Sequence, residues 1–219
     1  MEPLEYRRSE VAIPAGRARL NGDLVVPNVA ESIVLFAHGS GSSRFSPRNR
    51  FVAKILQEAG LATLLMDLLT AEEEAIDDRT RELRFHVGML AERLMAATEW
   101  LGEKLSANHP LKIGYFGAST GAAAALIAAA RMKEKISAVV SRGGRPDLAG
   151  ALLKEVVAPT LLIVGGADEV VIELNRMAFE QMGALKDMQI IPGATHLFEE
   201  PGALEEVARL AAEWFLRYL

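Results

Sequence analysis

Short apolar segments and amphipathic segments alternate along most of this chain. Apolar runs predict strands at 11–13, 20–26, 32–37, 62–66, 112–116, 138–141, 160–164 and 188–191. Apolar residues spaced three or four apart predict helices at 49–59, 80–105, 119–131, 172–182 and 203–219. Strands that alternate with helices indicate a mostly parallel sheet with helices on both faces. We therefore expect an α/β fold.

The first two predicted strands have no helical pattern between them. The turn dipeptide Asn21-Gly22 and the loop 27–31 lie close by, so we expect the sheet to start with an antiparallel pair. The acidic run within 72–78 predicts a solvated loop or a helix start rather than a metal site. No repeat or low-complexity tract divides the chain, and we expect a single domain over residues 1–219.

Composition and charge narrow the class of protein. The chain has 219 residues, 50% of them hydrophobic, and a net charge of -5, which argues against nucleic-acid or membrane partners. The absence of cysteine excludes disulfides, a thiolate metal site and a cysteine nucleophile. The first ten residues lack the apolar core of a signal peptide, so we expect a cytoplasmic location. We expect no metal and no cofactor, and a homodimer is compatible with the sequence but not required by it.

One segment carries the clearest chemical signal. Residues 112–121 read KIGYFGASTG, an apolar run that ends in Gly-x-Ser-x-Gly and precedes an alanine-rich helix. This order predicts a sharp strand-to-helix turn that exposes the Ser119 hydroxyl at the sheet edge as a nucleophile. Gly117 and Gly121 would let strand and helix pack closely. The alternative, a serine that only caps the helix, does not explain these glycines.

Two further polar residues follow later predicted strands. Asp168 comes after the seventh strand and His196 after the eighth, so both are expected at the same edge as Ser119. Histidine exchanges protons near neutral pH and can serve as base and acid, while an aspartate can orient it. The alternative is that Asp168 is part of an ordinary turn, with Glu169 or Asp67 as the acid, and a loop histidine is often only solvated.

Stabilisation of a tetrahedral oxyanion requires backbone N–H donors. Thr120, directly after the candidate nucleophile, is predicted to supply one. The second is expected from Ser40 or Gly41, in the glycine-rich loop after the third strand. We assign His38 to holding that loop rather than to proton transfer.

Two arginine-bearing segments, 44–48 and 142–145, follow strands that should flank the nucleophile strand. Arg44 and Arg142 are candidates for binding a carboxylate or phosphate group of the substrate. The alternative is that they pair with nearby acids such as Asp147 and fix the shape of their loops.

These residues together resemble the α/β-hydrolase superfamily, in particular its serine-nucleophile, dienelactone-hydrolase-like branch. The matching pieces are the motif HGSG at 38–41, the motif GASTG at 117–121, Asp168 after a Gly-Gly turn, and His196 before Leu197. The resemblance implies an eight-stranded sheet whose second strand is antiparallel. It also implies that the nucleophile strand lies between the strand before the oxyanion loop and the next strand in sequence. Dienelactone hydrolases proper use a cysteine nucleophile, so the dienelactone substrate is not implied here.

Many members of this superfamily carry a cap domain between the sixth and seventh strands. Only residues 142–159 lie between those predicted strands, so we expect no cap domain and an open site. The expected function is a serine hydrolase that cleaves small soluble carboxylic esters, lactones or thioesters through an acyl-enzyme. An acyltransferase or peptidase would use the same three residues. A non-catalytic small-molecule binding protein on the same scaffold is the alternative of a different class.

Overall fold

The fold is built on one eight-stranded sheet. The computed structural model describes residues 4–105 and 111–219. The strands are β1 (Tyr6–Ala15), β2 (Ala18–Pro27), β3 (Ser32–Ala37), β4 (Ala62–Met66), β5 (Lys112–Ala118), β6 (Ile136–Arg142), β7 (Thr160–Gly165) and β8 (Lys186–Ile191). They are arranged in the order β1-β2-β4-β3-β5-β6-β7-β8.

Strand directions agree with the expected topology. β2 runs antiparallel to both β1 and β4. The remaining neighbours in the sheet, in the order β4-β3-β5-β6-β7-β8, all pair in parallel. β5 lies between β3 and β6, which brings the loops that follow these three strands to one edge. The expected α/β-hydrolase fold is confirmed.

Helices cover both faces of the sheet. They are α1 (Pro47–Glu58), α2 (Ala71–Thr80), α3 (Val87–Leu105), α4 (Thr120–Arg131), α5 (Glu169–Gln181) and α6 (Ala203–Tyr218). Side chains alternate along a strand, so Val34 and Phe36 of β3 pack with α1 and α6, while Leu35 packs on the other face with α3 and α4. Residues 120–130 of α4 are all buried, which holds the start of that helix firmly under the sheet edge.

The predicted antiparallel pair is confirmed, but the predicted turn is wrong. The hairpin turns at Gly16, with φ of 62°, and Asn21 and Gly22 lie inside β2 opposite residues of β1. A Cβ at Gly22 would lie 2.9 Å from Cδ1 of Leu64, so the bare glycine lets that side chain pack close to β2. A glycine that permits close packing was therefore mistaken for one that permits a turn.

The helix predicted at 80–105 is confirmed over 87–105 as α3, but its predicted start is seven residues too early. The acidic run starts a separate helix, α2, through a capping box in which Thr70 and Glu73 bond each other's backbone. Arg81, with φ of 58°, ends α2. The chain then turns because the buried Asp77 carboxylate accepts hydrogen bonds from the backbone N–H and the guanidinium of Arg84. A short 3₁₀ segment follows before α3 begins.

The connection between β6 and β7 contains no cap domain. It holds a kinked 3₁₀-helical segment, Pro146–Glu155, that packs against α4 and α5. Within the described ranges, no helix combines the length and the apolar character required to cross a membrane.

Candidate active site

Ser119 occupies a strained turn between β5 and α4. Its φ of 51° and ψ of -122° lie in a region that side-chain-bearing residues rarely adopt. The Ser119 N–H donates to the Arg142 carbonyl at 3.2 Å, and the Ser119 carbonyl accepts from the Arg145 N–H at 3.1 Å. The Ser119 side chain makes no capping hydrogen bond to α4. Its hydroxyl is therefore not used as a helix cap, while its backbone is held on both sides.

The two motif glycines allow this turn to exist. A Cβ at Gly117 would lie 2.8 Å from the backbone nitrogen of Ala122, and one at Gly121 would lie 2.5 Å from the His38 carbonyl oxygen. These are backbone atoms, which cannot move aside as a flexible side chain would. The Gly-x-Ser-x-Gly spacing is thus explained by the contact of α4 with β5 and with the end of β3.

Asp168 and His196 are in direct contact. The imidazole Nδ1–H of His196 donates to Oδ2 of Asp168 at 2.7 Å, with the carboxylate as acceptor. Their loops are tied together by the Ala167 N–H, which donates to the Ala194 carbonyl at 2.9 Å. A Cβ at Gly165 would lie 2.6 Å from the Thr195 carbonyl oxygen, so the close approach of the two loops requires glycine. The contact leaves Nε2 of His196 as the nitrogen available for proton exchange.

The loop at 142–145 lies between Ser119 and His196. It bonds both backbone groups of Ser119, and a Cβ at Gly143 would lie 3.6 Å from Cε1 of His196. Asn175 of α5 fixes this loop by donating from Nδ2 to the Gly144 carbonyl at 3.0 Å. Among the described residues, no hydrogen bond joins the Ser119 hydroxyl to His196. The structure thus brings both residues to one loop, without a hydrogen bond between their side chains.

The glycine-rich loop after β3 packs against the Ser119 turn. A Cβ at Gly39 would lie 3.0 Å from Cβ of Ser119. The Ser42 N–H donates to the Gly39 carbonyl at 3.2 Å, which makes Ser40 and Gly41 the central residues of a tight turn. Thr120 is the first residue of α4. In the part of the chain that the structure describes, the backbone N–H groups of Ser40, Gly41 and Thr120 have no acceptor.

His38 links the loops that follow β3 and β4. Its Nδ1–H donates to the Gly39 carbonyl at 2.9 Å, and its Nε2 accepts from the Leu68 N–H at 3.0 Å. Both ring nitrogens are therefore satisfied in the neutral form. Burial lowers the pKa of His38 below its ordinary value, although the Gly39 carbonyl and Asp67 oppose the shift. His38 is thus built as a neutral connector.

Asp67 and Glu169, the alternatives to Asp168 as the acid, lie in different environments. The Asp67 carboxylate accepts from the backbone N–H of Arg44 at 2.8 Å and pairs with its guanidinium, which also lies 3.4 Å from Asp23. Glu169 is the first residue of α5 and is exposed. Arg44 is therefore paired with carboxylates, as the alternative interpretation of the arginines predicts.

Arg145 and Arg142 differ sharply in their partners. Arg145 makes a bidentate pair with Asp147, with both N–O distances 2.8 Å. Arg142 is only 7% exposed and has no carboxylate partner among the described residues. Within the described ranges, the one hydrogen bond of its guanidinium runs from Nη2 to Oδ1 of Asn49, at 3.4 Å. Sequence reasoning singled out Arg142 and the segment 44–48, which contains Arg48, but it missed Asn49. The only sequence signal for Asn49 was the helix start at Ser46-Pro47, which places it on the same sheet edge.

Two cavities differ in their relation to these loops. A small cavity of about 50 Å³ lies beside the glycine-rich loop and is lined by Gly39, Ser40, Gly41, Leu69 and Arg84 among others. A larger one of about 660 Å³ lies between the β1–β2 hairpin and α1, and none of the candidate site residues line it. Over the described ranges, no cluster of three histidine, aspartate or glutamate side chains is suited to hold a metal ion.

The sheet order, the Ser119 turn and the loops around it define an α/β hydrolase fold. The sequence profile of the Dienelactone hydrolase family matches residues 22–218. The chain belongs to that family.

Individual relatives agree with this placement. The chain is similar to the crystal structure of a dienelactone hydrolase from Anabaena variabilis, with 62% identity, a TM-score of 0.95, and coverage of 98% of this chain and 99% of that one. It also resembles Est1E from Butyrivibrio proteoclasticus in fold, with a TM-score of 0.77, 18% identity, and coverage of 95% and 98%.

A longer relative occurs in Mycobacterium tuberculosis. This protein carries the name phosphoribosyl transferase and is 55% identical over 213 residues, which represent 97% of this chain and 47% of that protein. The chain thus spans about half the length of the curated relatives that it matches.

Proposed function

We propose that this chain is a serine hydrolase that cleaves small carboxylic esters, lactones or thioesters through an acyl-enzyme. The observation that carries the proposal is the strained Ser119 turn, at the same sheet edge as a histidine already bonded to a carboxylate. A serine held in such a turn has its hydroxyl free for attack, and the Asp168–His196 contact prepares a base. Membership of the dienelactone hydrolase family supports hydrolysis of an ester or lactone bond.

The reaction would proceed in two balanced halves. The Ser119 oxygen attacks the acyl carbon while its proton passes to Nε2 of His196. The Asp168 carboxylate accepts a hydrogen bond from Nδ1–H of His196 and stabilises the resulting imidazolium. The C–O or C–S bond to the leaving group breaks, and that group takes the proton from His196. Water then attacks the acyl-enzyme with the same proton transfers, which releases the acid and restores Ser119.

The oxyanion would be held by backbone donors. The N–H of Thr120 and the N–H of Ser40 or Gly41 lack acceptors among the described residues and flank the Ser119 turn. A negative oxygen placed between two such donors is stabilised by several kcal/mol in a pre-arranged site. The N-terminus of α4 adds its partial positive charge at the same point.

Binding of substrate would complete the site. Proton transfer needs Ser119 within hydrogen-bond distance of His196, and the structure holds both at the 142–145 loop without that bond. Catalytic hydrogen bonds commonly tighten only in the complex with substrate.

An acyl-enzyme can be detected directly. We would quench the protein during turnover of p-nitrophenyl acetate and map acetylation by peptide mass spectrometry. The proposal predicts one acetyl group on the peptide that contains Ser119. Turnover without any acylated peptide under conditions of slow deacylation, or acetyl groups only on lysines, would contradict an acyl-enzyme on Ser119. A lactone and a thioester assayed beside it would define the preferred bond.

A further inference from the structure

Asn175 is a polar residue in the middle of an otherwise apolar helix face. The buried side chains of α5 are Val171, Asn175 and Ala178, each about one turn from the next. Asn175 is 0% exposed, and its Oδ1 is enclosed without a hydrogen-bond partner among the described residues. A buried amide with an unmet acceptor is less stable than an apolar side chain of the same size. The amide therefore serves a purpose other than packing of the core.

The Nδ2 group of Asn175 bonds two backbone carbonyls. It donates to the Gly144 carbonyl at 3.0 Å and to the Val171 carbonyl at 2.8 Å. Since a carbonyl can only accept, the nitrogen of the amide must face both of them, which fixes the orientation of the side chain. The bond to Val171 lies within α5. The bond to Gly144 instead connects α5 with the loop at 142–145.

The loop at 142–145 in turn holds the turn that carries the candidate nucleophile. The Arg145 N–H, directly after Gly144, donates to the Ser119 carbonyl at 3.1 Å. A Cβ at Gly144 would lie 2.6 Å from Cβ of Ala122, so the loop packs directly on the first turn of α4. A displacement of this loop would therefore displace the backbone of Ser119 with it.

The candidate acid lies at the start of the same helix as Asn175. Asp168 is the residue that precedes α5, and its carbonyl accepts from the Ile172 N–H at 2.9 Å. Its carboxylate accepts the hydrogen bond from His196. Asp168 and Asn175 are seven residues apart, which corresponds to about 10 Å along a helix axis. The helix α5 thus connects the Asp168–His196 pair with the loop that holds Ser119.

We propose that Asn175 is a positioning residue for the reaction: by fixing the 142–145 loop to α5, it sets the place of Ser119 relative to the Asp168–His196 pair. This inference rests on the proposed function and adds to it a residue that touches neither substrate nor reacting atoms. Proton transfer requires hydrogen-bond distance between the Ser119 hydroxyl and His196. A displacement of about 1 Å can lower the rate of such a step by about 100-fold.

Two substitutions separate the contact with the loop from the contact within the helix. Asn175→Leu keeps the approximate volume of the side chain and removes both hydrogen bonds. Asn175→Ser has a hydroxyl that can donate to the Val171 carbonyl but is too short to reach Gly144. In both variants we expect the maximal rate of acylation by p-nitrophenyl acetate, followed by stopped flow, to fall by about 10- to 100-fold. The half-saturating ester concentration should not change, because Asn175 does not contact the substrate.

Thr98→Val is the matched control. Thr98 is also a buried polar residue of a helix, and its hydroxyl bonds the Leu94 carbonyl and the Tyr115 hydroxyl rather than the 142–145 loop. The acylation rate should not change in that variant. Hydrogen exchange of backbone amides, measured by NMR, is a second readout that does not depend on activity. The N–H groups of Ser119 and Arg145 should exchange about 10-fold faster in both Asn175 variants, and at the wild-type rate in Thr98→Val.

The outcomes separate this inference from the proposed function. An unchanged acylation rate in folded Asn175→Leu or Asn175→Ser, with an active wild type, would overturn the positioning role and leave the hydrolase intact. A higher half-saturating concentration at an unchanged maximal rate would also overturn it, as would an equal loss of rate in Thr98→Val. If wild type cleaves no ester, the proposed function fails and the exchange rates still decide. Faster exchange confined to the amides of Ser119, Arg145 and their neighbours would support the role of Asn175, and unchanged exchange would overturn it.

Discussion

The His196 imidazole donates its Nδ1–H to the Asp168 carboxylate across 2.7 Å, although 28 positions separate the two residues in the chain. This contact selects one tautomer and leaves Nε2 free to exchange protons. Asp168 is 17% exposed and His196 38%, so the carboxylate is sheltered while the imidazole faces the outside. The pair is thus organised before any substrate is present, which is the property that a catalytic base requires.

Replacement of the Asp168 carboxylate tests its role most selectively. Asp168→Asn keeps the size of the side chain but removes the acceptor that selects the tautomer, and we expect kcat to fall by about 10³- to 10⁴-fold. Ester turnover under saturating substrate is the measurement. Glu169→Gln is the control, because Glu169 is the adjacent exposed acid. Loss of turnover in Glu169→Gln together with an active Asp168→Asn would assign the acid to Glu169 instead.

The Ser119 turn should depend on the absence of a side chain at Gly121. Gly121→Ala would place its Cβ 2.5 Å from the His38 carbonyl oxygen, so the start of α4 must shift. We expect the free energy of unfolding to fall by about 3 kcal/mol, the upper end for overpacking, with loss of esterase activity. Chemical denaturation measures the first and ester turnover the second.

The control for that substitution is Gly102→Ala. A Cβ at Gly102, within α3, meets nothing within 4 Å. The same chemical change should therefore raise stability by about 0.5 to 1 kcal/mol through helix propensity. Equal stability of the two variants would contradict the packing account of the Gly-x-Ser-x-Gly motif.

The buried His38 should make stability depend on pH. Burial lowers its pKa in the folded state, so below about 6.5 the unfolded state binds more protons. The contribution of neutral His38 to the free energy of unfolding is therefore fully present above about pH 6.5. It is lost as the pH falls from there through the pKa of the folded state, at no more than about 1.4 kcal/mol per pH unit. Protonation of Nε2 would also set an N–H against the Leu68 N–H.

Urea denaturation from pH 7 to 5 measures this dependence. His38→Gln should flatten the profile and lower stability at pH 7 by about 1 to 3 kcal/mol, because buried hydrogen bonds are lost. His86→Gln is the control, since His86 is exposed just before α3. A slope that persists unchanged in His38→Gln would show that other groups cause it.

The sequence pattern predicted the framework of the sheet because its signals are local. Each buried parallel strand is a short apolar run, and helical spacing is visible in α1, α4, α5 and α6. Pattern reasoning failed where a contact between distant residues decides the structure. Asn21-Gly22 carries the same turn signal in a strand as in a loop, and its pairing with Ala12 and Val11 of β1 is what distinguishes the two. The start of α2 did have a local signal, the spacing of Thr70 and Glu73.

For the candidate site as well, the sequence predicted which residues share an edge of the sheet but not which side chains make contact. Ser119, Asp168 and His196 each follow a predicted strand, so the topology rule alone placed them at one edge. The 2.7 Å contact of Asp168 with His196 and the burial of Arg142 depend on how loops pack, which spacing does not encode. The difference between Arg44, which is paired with Asp67, and Arg142, which lacks a carboxylate, is visible only in three dimensions.

The central claim is that Ser119 is an activated nucleophile. Wild type and Ser119→Ala should be treated with a fluorophosphonate probe and assayed on p-nitrophenyl acetate, with folding of both checked by circular dichroism. Our account predicts that wild type is labelled and active, and that labelling and turnover are lost together in Ser119→Ala. A well-folded wild type that is neither labelled nor active, or a Ser119→Ala variant that keeps both properties, would contradict it.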